Sequence, residues 1–166
     1  RVDALFVGVG SDFADPNSEI LNIGGVDFDG FIGYSTGQKD WQYRASATKI
    51  FGNWILFGGE LTSSSATNDL WRTGLSENSI TTLLAGYDYH DYYKAEGYGV
   101  FSEINLGRLI SFGASYNYTT YSTLENNTEY SFFGDGNIGR LNPAIDPSTD
   151  MIDQESIGLR LTLNKK

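Results

Sequence analysis

The chain has 166 residues, which sets a prior of one domain over residues 1–166, and no composition shift divides it. Lys plus Arg is 11 against 21 Asp plus Glu, a formal net charge of -10, which argues against a nucleic-acid partner because phosphates need a basic face. The absence of cysteine and the single histidine, His90, exclude disulfide frameworks, thiolate chemistry and multi-histidine metal sites. No run approaches the length of about 18 consecutive apolar residues that a transmembrane helix needs. The chain opens at Arg1 without a Met or a signal peptide, so the expectation is a processed chain or a fragment.

Period-2 alternation dominates the chain, and no segment carries a convincing helical period. Val2 to Val9 is the first expected strand. Val26 to Ser35 alternates Val26, Phe28, Ile32 and Tyr34 against Asp27, Asp29, Gly33 and Ser35. Trp41 to Phe51 is the clearest strand, with Trp41, Tyr43, Ala45, Ala47, Lys49 and Phe51 on one face and Gln42, Arg44, Ser46, Thr48 and Ile50 on the other. Gly52-Asn53 reads as a two-residue hairpin into Trp54 to Ser63, where Ile55, Phe57, Gly59 and Leu61 share a face. Ser79 to Tyr89 alternates Thr81, Leu83, Ala85, Tyr87 and Tyr89 against Thr82, Leu84, Gly86 and Asp88, and is expected as a strand too.

Tyr98, Val100, Ser102, Ile104 and Leu106 follow on one face, then a turn at Gly107-Arg108, then Ile110, Phe112, Ala114, Tyr116 and Tyr118. The last strand is Ser156 to Leu163, with Ile157, Leu159, Leu161 and Leu163 opposite Ser156, Gly158, Arg160 and Thr162. The sum is about eight strands, joined by short turns and three long connections: Gly10 to Gly25, Ser64 to Asn78 and Ser122 to Asp153. With long loops on one side of a barrel and short turns on the other, Gly10–Gly25 and Ser122–Asp153 are expected together on the outer side. Ser64–Asn78 then falls on the side of the short turns, where a long connection is out of place. Either the strand count is off by one or this loop is an exception.

A sheet with one apolar and one polar face has two solutions. A soluble lipocalin-like barrel points the apolar face inward, around an apolar ligand, and so predicts Trp41, Phe57 and Phe112 buried. An outer-membrane barrel points it at lipid and keeps a polar lumen. Three features favour the second. The polar face is built of small polar residues with isolated charges, so Arg44, Glu60, Asp88, Glu103 and Arg160 (with Asp27 and Asp29) can pair as a lumen network inside an eight-stranded barrel. Aromatics cluster at strand ends on the apolar face: Trp41 with Phe51, Tyr87 with Tyr89, Tyr116 with Tyr118. Ten residues at a tilt of about 40° span roughly 25 Å, the separation of two aromatic girdles. The strands are also longer than the five or six residues typical of soluble domains.

The stretches Asn68-Asp69-Leu70-Trp71, Glu77-Asn78-Ser79 and Asp88 to Tyr98 (DYHDYYKAEGY) resemble parts of bacterial outer-membrane barrels of the surface-antigen type, related to the outer-membrane assembly factors. So does Tyr121 to Thr128 with Phe132-Phe133-Gly134. The resemblance covers roughly Thr67 to Ile145. It implies an outer-membrane address, a lipid partner and another outer-membrane or periplasmic protein as possible partner. Barrels of that type usually have more than eight strands and carry periplasmic domains. The Arg-Gly-Phe/Tyr lid motif of the assembly factors is missing, which speaks against insertase activity. The ending Leu163-Asn164-Lys165-Lys166 lacks a closing aromatic, as a segment of a larger barrel would.

The expected fold class is therefore an all-β, antiparallel up-and-down transmembrane barrel in a Gram-negative-type outer membrane. Its expected role is structural, anchoring or partner-binding through long loops, without a cofactor. His90, beside Asp91, is the only anchor for an enzymatic alternative and lacks a nucleophile motif; it reads as a strand-end histidine in an aromatic belt. A narrow pore in the same barrel is the sister alternative. Asp12, Asp15 and Glu19, and Asp146, Asp150, Asp153 and Glu155, are oxygen-rich loops without EF-hand spacing, so a metal is not expected. Trp71 and Arg72, residue types favoured at hot spots, are the candidates for loop contact with a partner.

Overall fold

The computed structural model describes residues 6–11, 21–52, 54–69, 78, 81, 82, 84–107, 109–125, 132–134 and 142–163. Among the described residues eight strands form one antiparallel sheet: β1 (Phe6–Ser11), β2 (Leu21–Ile23), β3 (Val26–Ser35), β4 (Asp40–Phe51), β5 (Ile55–Thr67), β6 (Tyr92–Leu106), β7 (Ile110–Thr123) and β8 (Met151–Leu163). The order is β1-β3-β4-β5-β6-β7-β8, with β2 also on β3. β1 pairs with residues 30–35 of β3 and β2 with residues 26–28, both antiparallel, so the two are successive pieces of a single interrupted edge. The sheet therefore has seven positions. The expected closed barrel is corrected to an open sheet, because β1 and β8 stand at its two ends rather than side by side.

Three sequence expectations move. The first strand begins at Phe6 rather than Val2, residues 2–5 lying outside the described ones. Ser79–Tyr89 is not a strand: Asn78, Thr81, Thr82, Leu84 and Ala85 are helical. The Thr81 and Thr82 hydroxyls donate to the Asn78 carbonyl, and the Gly86 amide donates to the Thr82 carbonyl with Gly86 at φ 71. A glycine in the left-handed region after a helical turn is a standard C-terminal stop, which a period-2 count does not see. Finally, β5 to β8 all extend toward the long connections further than the alternation suggested.

Losing that strand reverses the sidedness of everything after it. Gly24 and Gly25, Gly52 and Trp54, and Gly107 and Leu109 lie in turns at one side of the sheet, where Ile23 pairs with Val26, Phe51 with Ile55 and Leu106 with Ile110. Gly24, Gly25, Gly52 and Gly107 all have positive φ there, which tight hairpins require. The chain leaves β3 for β4, β5 for β6 and β7 for β8 at the other side, where Ser35 pairs with Asp40, Thr67 with Tyr92 and Ser122 with Met151. Thus Ser64–Asn78 and Ser122–Asp153 share a side, and the Gly10–Gly25 connection is an excursion in the middle of an edge. The loop side carries the two long connections and also the four-residue hairpin 36–39.

The sheet has no apolar core. Among the described residues the one apolar side chain buried below a tenth of its surface is Leu124, while the fully buried ones are His90, Asn78 and Ser35.

Candidate lipid-facing surface, polar face and loop cluster

Strand register sorts the side chains. One row across β4 to β8 reads Ala45, Leu61, Tyr98, Tyr118, Glu155; three rows toward the turn side reads Phe51, Ile55, Ile104, Phe112, Leu161. Between them lie Phe57, Val100, Tyr116, Ile157 and Leu159 on the same face. These residues stand open: Phe57 is 54 %, Ile157 79 % and Leu159 73 % exposed. Trp41 and Phe112, at 57 % and 44 %, are likewise outward, against what a soluble barrel with an apolar interior requires. A contiguous apolar face of this extent marks an interface with protein or lipid. Among the described residues no helix is long and apolar enough to cross a membrane, a statement that leaves strands untouched.

The apolar face ends in aromatics toward the loop side. Tyr34 and Trp41 meet edge to face at 5.4 Å, and Tyr98 lies 6.3 Å from Tyr116 and 5.6 Å from Tyr118. Phe51 closes the turn-side end of β4, with the Lys49 ammonium 5.4 Å from its ring centroid. Four of the six expected girdle residues, Trp41, Phe51, Tyr116 and Tyr118, thus sit on this face. Tyr87 and Tyr89 do not: they stack on each other at 6.2 Å within the 68–91 connection, because their segment is not a strand.

The opposite face is polar and crowded. Arg44 and Glu60, diagonal neighbours on β4 and β5, approach to 3.5 Å; both are substantially exposed, so the pair contributes below about 1 kcal/mol. Glu103 and Arg160 flank Gly113 in one row, leaving opposite charges on either side of a residue without a side chain. Asp88 is corrected out of this set: it is buried in the 68–91 connection and hydrogen-bonded to Asn78. Asp27 and Asp29 lie on the polar face opposite Thr48 and Ser46. Glycines make the crowding possible. A Cβ at Gly97 would strike the Tyr118 carbonyl, one at Gly99 the Asn117 amide oxygen, and one at Gly58 would sit 2.5 Å from the Phe101 ring. These close approaches are local to the glycines, since Arg44, Glu60 and Ile50 on the same face remain exposed.

Beyond the tyrosines, at the loop side, an ion cluster appears that alternation alone did not single out. Lys94 Nζ contacts Asp40 Oδ2 at 2.5 Å and Glu96 Oε1 at 3.0 Å, and the Ser63 hydroxyl donates to Glu96 at 2.8 Å. These groups lie outside the apolar band. The hydrogen bond from Lys94 holds both carboxyls below their usual range. Burial pulls the Lys94 ammonium down, but its bonds to Asp40 and Glu96 outweigh this and leave it above its usual range. The available signal was the Lys-x-Glu spacing, which puts both charges on one side of a strand. Where the β4–β5 ladder stops at Tyr43 and Ser63, the Gln42 amide takes over, donating to the Ser65 hydroxyl at 2.9 Å and accepting from the Ser65 amide at 3.2 Å.

The 68–91 connection is tied down by Asn78. Its side-chain nitrogen donates to Asp88 at 2.8 Å and to the Tyr92 hydroxyl at 3.1 Å, and its oxygen accepts from the Tyr89 amide at 2.9 Å. His90, expected in an aromatic belt, is instead 1 % exposed inside this connection, 5.9 Å from the Tyr92 ring. In the 124–150 connection Asp146 accepts from the Ser148 hydroxyl and amide at 2.6 and 2.7 Å, and the hydroxyl bond is the main reason its carboxyl is held low. Among the described residues no three His, Asp or Glu side chains gather as metal ligands. Trp71 and Arg72, like Asp12, Asp15 and Glu19, lie outside the described residues.

The chain matches no family model, no curated protein and no solved structure.

Proposed function

We propose that the chain is a membrane-spanning antiparallel β-sheet of a bacterial outer membrane, of the surface-antigen barrel type, with lipid against the Phe57–Leu159 face. Its role is structural and non-enzymatic: it anchors the long connections of the loop side, which meet a protein partner. One observation carries the proposal. The exposed apolar face is bounded by aromatics, while the opposite face holds glycine, hydroxyl, amide and charged groups beside Phe31, Ile50, Leu56 and Phe101. In water that arrangement leaves side chains exposed whose burial stabilises by about 1.5–3 kcal/mol each; in lipid it satisfies them. From Trp41 to Phe51 the band rises about 25 Å at the usual strand tilt, which suits an outer membrane. Two long connections that share one side, with only the four-residue hairpin 36–39 beside them, suit the pattern of bacterial outer-membrane strands.

The test is refolding of the purified chain in plain buffer, in detergent and in lipid vesicles, with circular dichroism and gel mobility before and after heating. The expected result is a β spectrum and heat-dependent mobility in lipid or detergent alone. A monodisperse, folded monomer in plain buffer overturns the proposal.

A further inference from the structure

We infer that the β4–β5 hairpin holds the head group of an anionic glycerophospholipid, with the Lys49 ammonium and the Trp54 indole N–H on its phosphate. The inference rests on the lipid-facing reading and names the lipid for one place on that face. Between the row of Tyr98 and Tyr118 and the tight turns, Lys49 is the one charged side chain on the apolar face among the described residues. Its row continues through Phe57, Ser102, Ala114 and Leu159 and holds no carboxylate. On its other side it stands opposite Val26. A cation on a lipid-facing surface is costly unless its head reaches the interface and meets a counter-charge there. Lys49 does reach toward it: its Nζ lies 5.4 Å from the ring centroid of Phe51, two residues nearer the turn.

The hairpin supplies the rest of the site. Phe51 and Ile55 form the last rung of the β4–β5 ladder, and the Trp54 amide donates to the Phe51 carbonyl at 3.3 Å. The Asn105 amide donates to the Trp54 carbonyl at 2.7 Å, which ties Trp54 to β6 as well. Gly52, at φ 57, lets the indole lie across the turn: a Cβ there would sit 2.7 Å from Trp54 Nε1. Phe51 and Trp54 are both about half exposed, at the level where aromatic rings mark the boundary of hydrocarbon and water. Among the described residues neither the Lys49 ammonium nor the indole N–H meets a carboxylate. A phosphate at that level accepts from both, while its acyl chains lie along the exposed Phe57 ring. The distribution of charge favours an anion here and not at the other end of the strands. The loop side holds Asp69, Asp91, Glu125, Asp146 and Asp150 against an exposed Lys39, Lys94 being taken up by Asp40 and Glu96.

The experiment is tryptophan quenching in the full chain, refolded into phosphatidylcholine vesicles with Trp41→Phe and Trp71→Phe so that Trp54 alone emits. Part of the lipid is replaced by brominated phosphatidylglycerol or, separately, by brominated phosphatidylcholine, and the quenching gives their relative affinity at Trp54. The expected result is a preference for phosphatidylglycerol of about fivefold, the effect of one lysine beside an anionic head group. Lys49→Met should bring the two lipids level, and Lys49→Arg should keep the preference. A chain with Trp41 as its one tryptophan should report no preference at the loop side. Equal quenching of Trp54 by the two lipids overturns the inference. So does a preference that survives Lys49→Met, or an equal one at Trp41. If Lys49→Met does not fold, a brominated cationic lipid tested on the unaltered lysine should quench less than phosphatidylcholine, and equal or stronger quenching overturns the inference. Inorganic phosphate that removes the preference, where sodium chloride of equal ionic strength does not, marks a site for free phosphate and overturns it too. Failure of the lipid-facing reading shows separately, as a folded chain in plain buffer or as Trp54 emission that no brominated lipid quenches.

Discussion

An arginine at Leu159 and one at Leu163 separate a lipid-facing sheet from a water-facing one. The two leucines are almost equally exposed, 73 % and 68 %, both on the apolar face of β8. Any account in which that face meets water makes the two substitutions equivalent, each within about 0.5 kcal/mol of neutral, as exposed surface changes usually are. In a bilayer they differ by depth. Leu159 lies midway between Glu155 and Leu163 on the apolar face of β8, in the row of Phe57, Ser102 and Ala114 and four strands away from Lys49, which begins that row. Leu163 lies in the last row, opposite Ile110 beside the tight turn. Four residues along a strand tilted by about 40° separate the two by roughly 10 Å of depth.

At the bilayer middle an arginine costs about 2–4 kcal/mol, and near the interface about 0–1. Leu159→Arg should therefore lower the ratio of folded to unfolded protein by roughly 30- to 1000-fold, and Leu163→Arg by less than about fivefold, at 1.4 kcal/mol per factor of ten. Reversible urea unfolding in lipid vesicles, followed by circular dichroism, measures both. Equal costs at the two positions would refute the depth argument, and with it the assignment of lipid to this face.

Three other outcomes follow from the same geometry. Gly97→Ala should destabilise by about 1–3 kcal/mol in the same unfolding assay, since its Cβ is aimed at the Tyr118 carbonyl of the neighbouring strand and neither backbone can yield cheaply. The Lys94 cluster should make stability fall in acid. Asp40 and Glu96 are held low when folded, so their contribution is present above the ordinary carboxylate range, near pH 4, and is lost as pH falls through their lowered folded values. Both carboxylates are about half exposed, so the effect stays below about 1 kcal/mol; the stability gap between the native chain and Lys94→Met should be open at pH 7 and closed once both carboxyls are protonated in strong acid, and a gap that persists there counts against the cluster. Asn78→Ala removes the side chain that joins Asp88, Tyr89 and Tyr92, at a cost of about 1–3 kcal/mol for stranding buried polar groups. Its readout is limited proteolysis, which should cut within 78–91 faster than in the native chain while the sheet's β spectrum is unchanged.

Sequence alone determined the class of the fold and most of its strands. Val26 to Ser35, Trp41 to Phe51 and Ile110 onward carry so strict a two-residue alternation that local chemistry settles both strand and face, and Gly52 and Gly107 mark turns because positive φ is cheap for glycine. The pairing of Arg44 with Glu60 was legible for the same reason, two like-facing positions on adjacent strands. Period 2 failed at Ser79 to Tyr89, where hydroxyls bonding to a backbone carbonyl and a closing glycine outweigh a chance alternation, and that one loss displaced Asp88, Tyr87, Tyr89 and His90 from their expected places. Tertiary structure alone decided the rest: the odd number of sheet positions, the open edges, the shared side of the two long connections, and the meeting of Lys94 with Asp40 across 54 residues of chain. The physical reason is that alternation is a property of a few successive residues. Direction, closure and long-range ion pairing depend on the count and order of all the strands together.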